Sequence, residues 1–360
     1  MNLHIVPDTT FINTFYDNLQ ELGLLNENKI IVRTNNKTLS AVKRDLFFSP
    51  LNSRSFMEYV GDTLQYKKVF VHYFTPLLYR WVAHHKFREL NWAVWGGDLY
   101  NLSSLDHICY EPLTKTNYVS RDSSLKKILY ETKVWITQEP FRKKAYAKVN
   151  NILTWMQSEY QFALRHLDVR ANHQFFFYEN QFPYERLDSI REKPSYTKEL
   201  SLIIGNSASP ANNHLDVVRF LETHKVKANL LIPVSYGDSG YISFLRKNLS
   251  YSYGNLEFVD RYMAFEEYLQ FISAADALVM NTVRPQGYGN ILMMLYMDKP
   301  VYFNEKNISL PDLTQNGISW RSIDDLPSLS KENAELSNKA AVVKLLSHER
   351  LLKAYKALFT

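Results

Sequence analysis

The sequence predicts an α/β protein of two Rossmann-like, doubly wound domains facing across a cleft. Three observations carry that prediction. The chain has 360 residues, too many for one compact core. Short apolar runs alternate with stretches of helical periodicity in both halves, the pattern of parallel sheets with right-handed crossovers. Between the halves, residues 179–198 follow neither period and carry Pro183 and Pro194. The domains so drawn are 1–185, a linker at 186–198, a second domain at 199–339, and a C-terminal helix at 340–360 packing back on the first.

Asn2–Val6 reads as the first strand, followed by a helix over Thr10–Glu21 and a strand at Lys29–Arg33. A helical stretch near Ser55–Gln65 precedes the strand Lys67–His72. Pro76 suits the first turn of a helix running to Phe87, and Asn91–Trp95 is the next strand. A helix at Ser158–His166 and a strand near His173–Phe177 close the first half. In the second half, strands fall at Leu200–Ile204, Ala228–Pro233, Leu256–Val259, Ala277–Met280 and Pro300–Phe303. Helices fall at Ala211–Thr223, Gly240–Leu249, Phe265–Ala274, Gln286–Met297 and Ala340–Leu358.

Composition narrows the class. The single Cys109 excludes an intramolecular disulfide and a cysteine metal cluster, so a cytoplasmic, reducing compartment is expected. Met1 to Pro7 lacks the basic flank of a signal peptide. No run reaches the roughly 18 apolar residues that span a bilayer, so a soluble or peripheral protein is expected. The net charge of +5 is concentrated. Residues 121–150 hold eight cations (Arg121, Lys126, Lys127, Lys133, Arg142, Lys143, Lys144, Lys148) and three carboxylates, which again leaves +5. Phe141, Tyr146, Ile152, Leu153 and Trp155 interleave with them. Arg142, Lys143, Lys144 and Lys148 therefore form a candidate patch for an anionic membrane surface, or else a solvated charged face. Nucleic acid is not expected, since no recognition motif accompanies the patch.

Four segments at strand ends bear chemistry. The loop Arg284-Pro285-Gln286-Gly287-Tyr288-Gly289-Asn290 leads from a strand into a helix. Its glycines permit close backbone approach, and the helix start offers free N–H groups and a positive dipole end. With Arg284 as a phosphate donor, a diphosphate is the natural guest; loop geometry alone is the other reading. Asn206, Ser207 and Ser209 follow the strand Leu200–Ile204 and can serve a ligand, cap a helix, or do both. Tyr236 and Gly237 follow the strand Ala228–Pro233, where Tyr236 can stack on a nucleobase unless the pair merely builds a turn. In the first half, Trp95, Gly96, Gly97, Asp98 and Tyr100 follow a strand. Asp98 there can act as general base, bind a sugar, or cap the next helix. His72 ends the neighbouring strand and would open onto the same rim, or else be structural. No Asp-x-Asp occurs in the chain, so neither metal nor cofactor is expected.

The stretch from Gly287 to Val301 resembles the C-terminal signature of many GT-B glycosyltransferases, in which Gly-aromatic-Gly opens a helix and a Lys-Pro-Val strand follows. In the large retaining families two glutamates flank this stretch; Gln286 and Met294 stand there instead. Together with Trp95 to Tyr100, Gly205 to Ser207 with Asn213 and His214, and Pro233 to Gly237, it is similar to the bacterial TDP-N-acetylfucosamine:lipid II N-acetylfucosaminyltransferase family of enterobacterial common antigen synthesis, which is 4-alpha-L-fucosyltransferase-like and also lacks the paired glutamates. The resemblance spans Lys67 to Asn304. It implies a dTDP-sugar as donor and co-substrate, 4-acetamido-4,6-dideoxygalactose as the moved unit, and a polyprenyl-diphosphate-linked glycan as acceptor. It also implies a peripheral place on the inner face of the cell membrane. By position, Asp98 takes the family's aspartate, and Asn206, Ser207, Arg284, Gln286, Gly287 and Gly289 take the nucleotide side. A nucleotide-sugar 2-epimerase and a non-catalytic nucleotide-sugar or glycan binder share the architecture and stay open as alternatives.

Overall fold

The strands are short, and Val69–His72, Leu90–Ala93, Ala277–Met280 and Val301–Phe303 are buried along their whole length, as expected inside parallel sheets covered by helices on both faces. In the computed structural model, which describes residues 1–34, 40–102, 105–121, 125–178, 182–191, 199–330 and 337–360, thirteen strands form two sheets among the described residues. The first sheet contains β1 (Asn2–Pro7), β2 (Asn28–Arg33), β3 (Phe47–Ser49), β4 (Val69–His72), β5 (Leu90–Ala93), β6 (Asn151–Leu153) and β7 (Asn172–Gln174). The second contains β8 (Leu200–Ile204), β9 (Ala228–Pro233), β10 (Leu256–Val259), β11 (Ala277–Met280), β12 (Val301–Phe303) and β13 (Arg321–Ser322).

Every pairing is parallel. The strand orders are β3-β2-β1-β4-β5-β6-β7 and β10-β9-β8-β11-β12-β13. Each order reverses once, between β1 and β4 in one sheet and between β8 and β11 in the other. Beyond the carboxyl ends of those pairs lies the crevice where open α/β sheets bind ligands.

The chain forms two compact units. The first comprises Met1–Asn101, Ser124–Phe182 and Leu346–Thr360; the second comprises Leu102–Ser123 and Pro183–Leu345. The main crossover falls at Pro183, near the expected boundary at 185, but Leu102–Ser123, expected in the first domain, belongs to the second unit. Its anchors explain this. The carboxylate of Asp216 accepts from Leu113 N at 2.8 Å, Thr114 N at 2.9 Å and Thr114 Oγ1 at 2.6 Å, capping the Pro112–Asn117 helix. The linker expectation is corrected in part as well. Tyr184–Arg191 is helical, and residues 192–198 lie outside the described residues. The C-terminal helix is broken by Ser347, which caps its second half, so that Lys339–Leu345 belongs to the second unit. His348–Phe359 then buries Leu351, Tyr355, Leu358 and Phe359 with Val6, Phe15 and Phe70 in the first unit's core.

Candidate active site

In the second unit, two loops leave the switch point side by side. Gly205 follows β8 at φ 71°, where a Cβ would stand 2.8 Å from Asn212 Cγ and from His214 Nε2. Gly287 ends the loop after β11 at φ 69°, and a Cβ there would lie 2.9 Å from Asn206 Cγ. Both backbones take the left-handed conformation that glycine alone adopts freely. Between them runs a chain of hydrogen bonds. Asn206 Nδ2 donates to Tyr236 Oη at 3.0 Å, Gln286 Nε2 donates to Asn206 Oδ1 at 2.9 Å, and Arg284 Nη2 donates to Gln286 Oε1 at 3.1 Å. Ser209 Oγ stands 3.5 Å from that same Oε1, at the outer limit of a hydrogen bond. Residues from the three loops after β8, β9 and β11 thus form one frame. Tyr236 is 61% exposed, leaving a ring face open to stacking.

The loop after β9 is fastened to this frame by a bridge from Gly237 to Ala208. Beside the frame, the helix Tyr288–Tyr296 begins with no side-chain cap. The N–H groups of Asn290 and Ile291 already reach Gly287 O, while those of Tyr288 and Gly289 precede the first such bond. Two expected residues lie elsewhere. Asn290 is buried and accepts from Tyr268 Oη at 2.7 Å, and Ser207 is buried with its carbonyl accepting from Asn212 Nδ2. Neither takes part in the exposed frame. A cavity of about 360 Å³ lined by Glu111, Asp216, Asn281, Asn304 and Lys306 opens farther along this edge. Glu111, Asn281, Asn304 and Lys306 bond to one another there, as in the Lys306–Glu111 pair at 2.9 Å.

The first unit departs from expectation. Asp98 does not face solvent: it is buried, and both carboxylate oxygens are occupied. Oδ2 accepts from Trp92 Nε1 at 2.6 Å and Phe74 N at 2.7 Å, and Oδ1 accepts from Trp95 N at 2.9 Å. Burial pushes its carboxyl above the usual range, and these bonds oppose the shift. A group so enclosed positions β4 and β5 and the Trp95 loop; a general base needs an open oxygen. Tyr100 is buried as well, donating to Glu159 Oε1 at 3.3 Å, so it does not line an acceptor surface. Gly96 and Gly97 start the short helix Gly97–Tyr100, and Trp95 keeps part of its surface in solvent.

His72 does not open onto a rim either. It is fully buried within a polar chain whose tautomers follow from its ends. Asn28 Oδ1 can only accept, so His4 Nε2 donates to it at 2.9 Å. Neutral His4 then accepts at Nδ1 from His72 Nε2 at 3.0 Å, and His72 accepts at Nδ1 from the Tyr178 hydroxyl. Trp95 Nε1 donates to Tyr178 Oη at 3.0 Å. Burial lowers the pKa of His4 to about 4, and burial with the nearby His4 and Arg33 takes His72 well below 6.5. Both imidazoles are neutral and structural.

Sequence reasoning missed two residues at this crevice. Asp8 follows β1, and its Oδ1 gathers Ser40 Oγ at 2.6 Å, Ala41 N at 2.9 Å and Val42 N at 3.3 Å. Burial pushes its pKa up, but hydrogen bonds from Ser40, Thr34, Val42 and Ala41 outweigh it and hold the carboxyl below its usual value. Arg33 ends β2 and reaches over to the end of β4. The available signal was their place one residue past or at the end of a strand beside the switch point, legible only once the strand order is known.

The basic patch also resolves differently. Lys148 Nζ is spent on the carbonyls of Val82, Ala83 and His85, and Arg142 pairs with Glu139 at 2.9 Å. Tyr146, Ile152 and Leu153 are core residues. Only Lys143 and Lys144 of the four stay exposed. Among the described residues, no group of three or more His, Cys, Asp or Glu is placed to hold a metal ion, and no helix is long and apolar enough to cross a membrane.

Residues 132–335 match the family described as 4-alpha-L-fucosyltransferase glycosyl transferase group 56. Among solved structures, the chain is similar to an alpha,alpha-trehalose-phosphate synthase (UDP-forming) from Burkholderia vietnamiensis, at 8% identity over 100% of this chain and 98% of that one, with a TM-score of 0.55. It is similar to sucrose-phosphate synthase from Thermosynechococcus elongatus at 10% identity, covering 100% and 95% with a TM-score of 0.53. A glycosyltransferase from Rickettsia africae aligns at 13% identity, covering 99% and 97% with a TM-score of 0.53. Such identities speak to fold, which is GT-B in these neighbours. With more than half of its length matched, the chain belongs to glycosyltransferase group 56, the 4-alpha-L-fucosyltransferase family, and is a GT-B glycosyltransferase.

Proposed function

We propose that this glycosyltransferase moves a deoxyamino hexose, 4-acetamido-4,6-dideoxygalactose, from a dTDP donor to a polyprenyl-diphosphate-linked glycan on the cytoplasmic face of the membrane. The observation that carries the donor side is the Tyr236–Asn206–Gln286–Arg284 frame beside an uncapped helix start at the second switch point. The amides of Tyr288 and Gly289, the helix dipole and Arg284 take the diphosphate. Tyr236 stacks on the base, and Gln286 with Asn206 orients the ribose or sugar. In the transfer, an acceptor hydroxyl oxygen bonds to the anomeric carbon as the bond to the diphosphate oxygen breaks. The hydroxyl proton passes to a carboxylate, a role given to Asp8, which is only part-buried and stays ionised, where Asp98 is fully enclosed. Leaving-group charge falls on Arg284 and the helix start, so no divalent metal is required.

Membrane attachment is assigned to the helix Leu125–Thr137 instead of the 142–148 cations. Trp135 is 69% exposed, with Ile128, Leu129 and Ile136 also exposed. Their spacing of one, seven and eight residues places all four on one arc of the helix. Exposed Lys133, Lys143 and Lys144 supply charge for anionic headgroups, as interfacial helices do.

A thermal-shift titration with dTDP, UDP and GDP tests the donor assignment. The expected outcome is a larger upward shift with dTDP, unchanged by EDTA. Equal shifts with all three would reject the nucleotide, and loss of transfer in EDTA restored by magnesium would reject metal independence.

A further inference from the structure

Arg33 spans the switch point of the first sheet. It ends β2, and across the end of β1 its Nη2 donates to His72 O at 2.9 Å and Tyr73 O at 3.0 Å, at the end of β4. The guanidinium therefore sits over the crevice where this fold binds ligands. Its remaining donors are unused. Nε is buried with no hydrogen-bond partner, and Nη1 reaches solvent with no partner among the described residues. No carboxylate pairs with it among the described residues: Asp98 acts on it through space with its own oxygens filled, and Asp8 is turned to Ser40, Ala41 and Val42. Burial lowers its pKa to about 10, so it remains a cation at neutral pH.

A half-enclosed cation with no counter-ion is costly to the fold, and such a cost persists where a ligand supplies the missing charge. The residue it grips is unusual as well. Tyr73 stands at φ 64°, a left-handed conformation disfavoured for an aromatic residue and typical of functional crevices.

We propose that Arg33 is an anion-binding residue of the acceptor side, donating from Nη1 to a phosphate oxygen while Nη2 stays fixed to β4. This rests on the reading that the acceptor carries a diphosphate. Trp95, partly exposed after β5 and held by Tyr178 and Asp98, lies on the same sheet edge.

Calorimetric titration of inorganic pyrophosphate into the full chain tests it. Arg284→Gln removes the donor-side anion site and is expected to leave one site. Adding Arg33→Gln should weaken that site by about 10- to 100-fold, the range for one charge-assisted hydrogen bond. Should Arg33→Gln fail to fold, Arg33→Lys serves: an ammonium still reaches the β4 carbonyls but lacks the forked second donor, so about tenfold weaker binding is expected with the melting point kept. The proposal falls if the remaining site keeps its affinity in both Arg33 variants, if Arg284→Gln alone leaves no site, or if neither Arg33 variant folds. Arg33-dependent pyrophosphate binding without transfer to any polyprenyl-linked glycan would keep this site and reject the acceptor. Undiminished transfer to that glycan in Arg33→Lys would do the reverse.

Discussion

The two sheets share one strand order and put their ends to different use. At the first switch point, most of the polar side chains that the sequence singles out are buried and paired. Asp98 is filled by three N–H donors, and His72 is locked between His4 and Tyr178. At the second, the corresponding polar groups form a thin frame around an uncapped helix, with Tyr236 left in solvent. The first crevice is preorganised by its interior, with Asp8 and Arg33 as its part-exposed charged groups. The second is preorganised by its loops. Shared topology therefore says where a ligand can bind and leaves open which residues face it.

Asp8 and Asp98 are expected to differ most. If Asp8 takes the proton, Asp8→Asn should lower kcat by about 10²- to 10⁴-fold with the melting temperature nearly unchanged. Asp98→Asn should act on the fold. An amide NH₂ would face the Trp95 amide or the Trp92 indole in a buried site, costing about 2–4 kcal/mol in urea unfolding. Full stability with lost turnover in Asp98→Asn would reverse the two roles.

On the second sheet the expected effects are smaller. Gly287→Ala places a Cβ 2.9 Å from Asn206 Cγ at a positive φ, so it should push Asn206 off Gln286. Strain of about 1–2 kcal/mol in stability is expected, with roughly tenfold weaker dTDP binding in calorimetry. Gly289→Ala is the control, since nothing lies within 4 Å of a Cβ there. Equal loss in both variants would show that helix propensity, and not the Asn206 contact, governs the site. On the remaining exposed surface, Trp135→Ser with Ile136→Ser should cut binding to phosphatidylglycerol vesicles about tenfold, a modest loss for two interfacial side chains. Unchanged sedimentation with the vesicles would remove that helix from the membrane.

Much of this was legible in the sequence. The strands Leu200–Ile204, Ala228–Pro233, Leu256–Val259 and Ala277–Met280 fall at the expected residues, because buried parallel strands are short apolar runs between breakers. The positions of Asn206, Tyr236 and Gln286 beside one another were legible for the same reason, since they follow those strands closely. What local pattern could not give was pairing at a distance. Asp98 looks like an exposed acid until Trp92 and Phe74 are seen to fill it. Lys148 looks like a surface cation until three carbonyls at the C-terminal end of the helix Tyr79–His84 are seen to hold it. The three-residue strand Phe47–Ser49 and the two-residue strand Arg321–Ser322 are too short for any period to show.

The last test uses acid to separate the two interiors. In the first unit His4 and His72 are held neutral; in the second His214 is, its pKa lowered by burial to about 3. Each titrates near 6.5 when unfolded, so between about pH 6.5 and 4 the unfolded state binds protons that the native state does not. Stability therefore rises with pH across that window and is lost on acidification, by about 1.4 kcal/mol per pH unit for each imidazole. Two linked imidazoles give the first unit a slope of about 2.8 kcal/mol per pH unit against about 1.4 for the second. Asp98 works the other way: its raised pKa binds a proton earlier in the fold than out of it, and so offsets part of the loss at the acid end. Hydrogen exchange followed unit by unit from pH 7 to 4.5, corrected for intrinsic rates, should show protection falling faster along β1 and β4 than along β8 and β11. Parallel loss in both would mean that His4 and His72 do not titrate as a buried pair. In His4→Gln, which removes one imidazole, the first unit's slope should fall to that of the second.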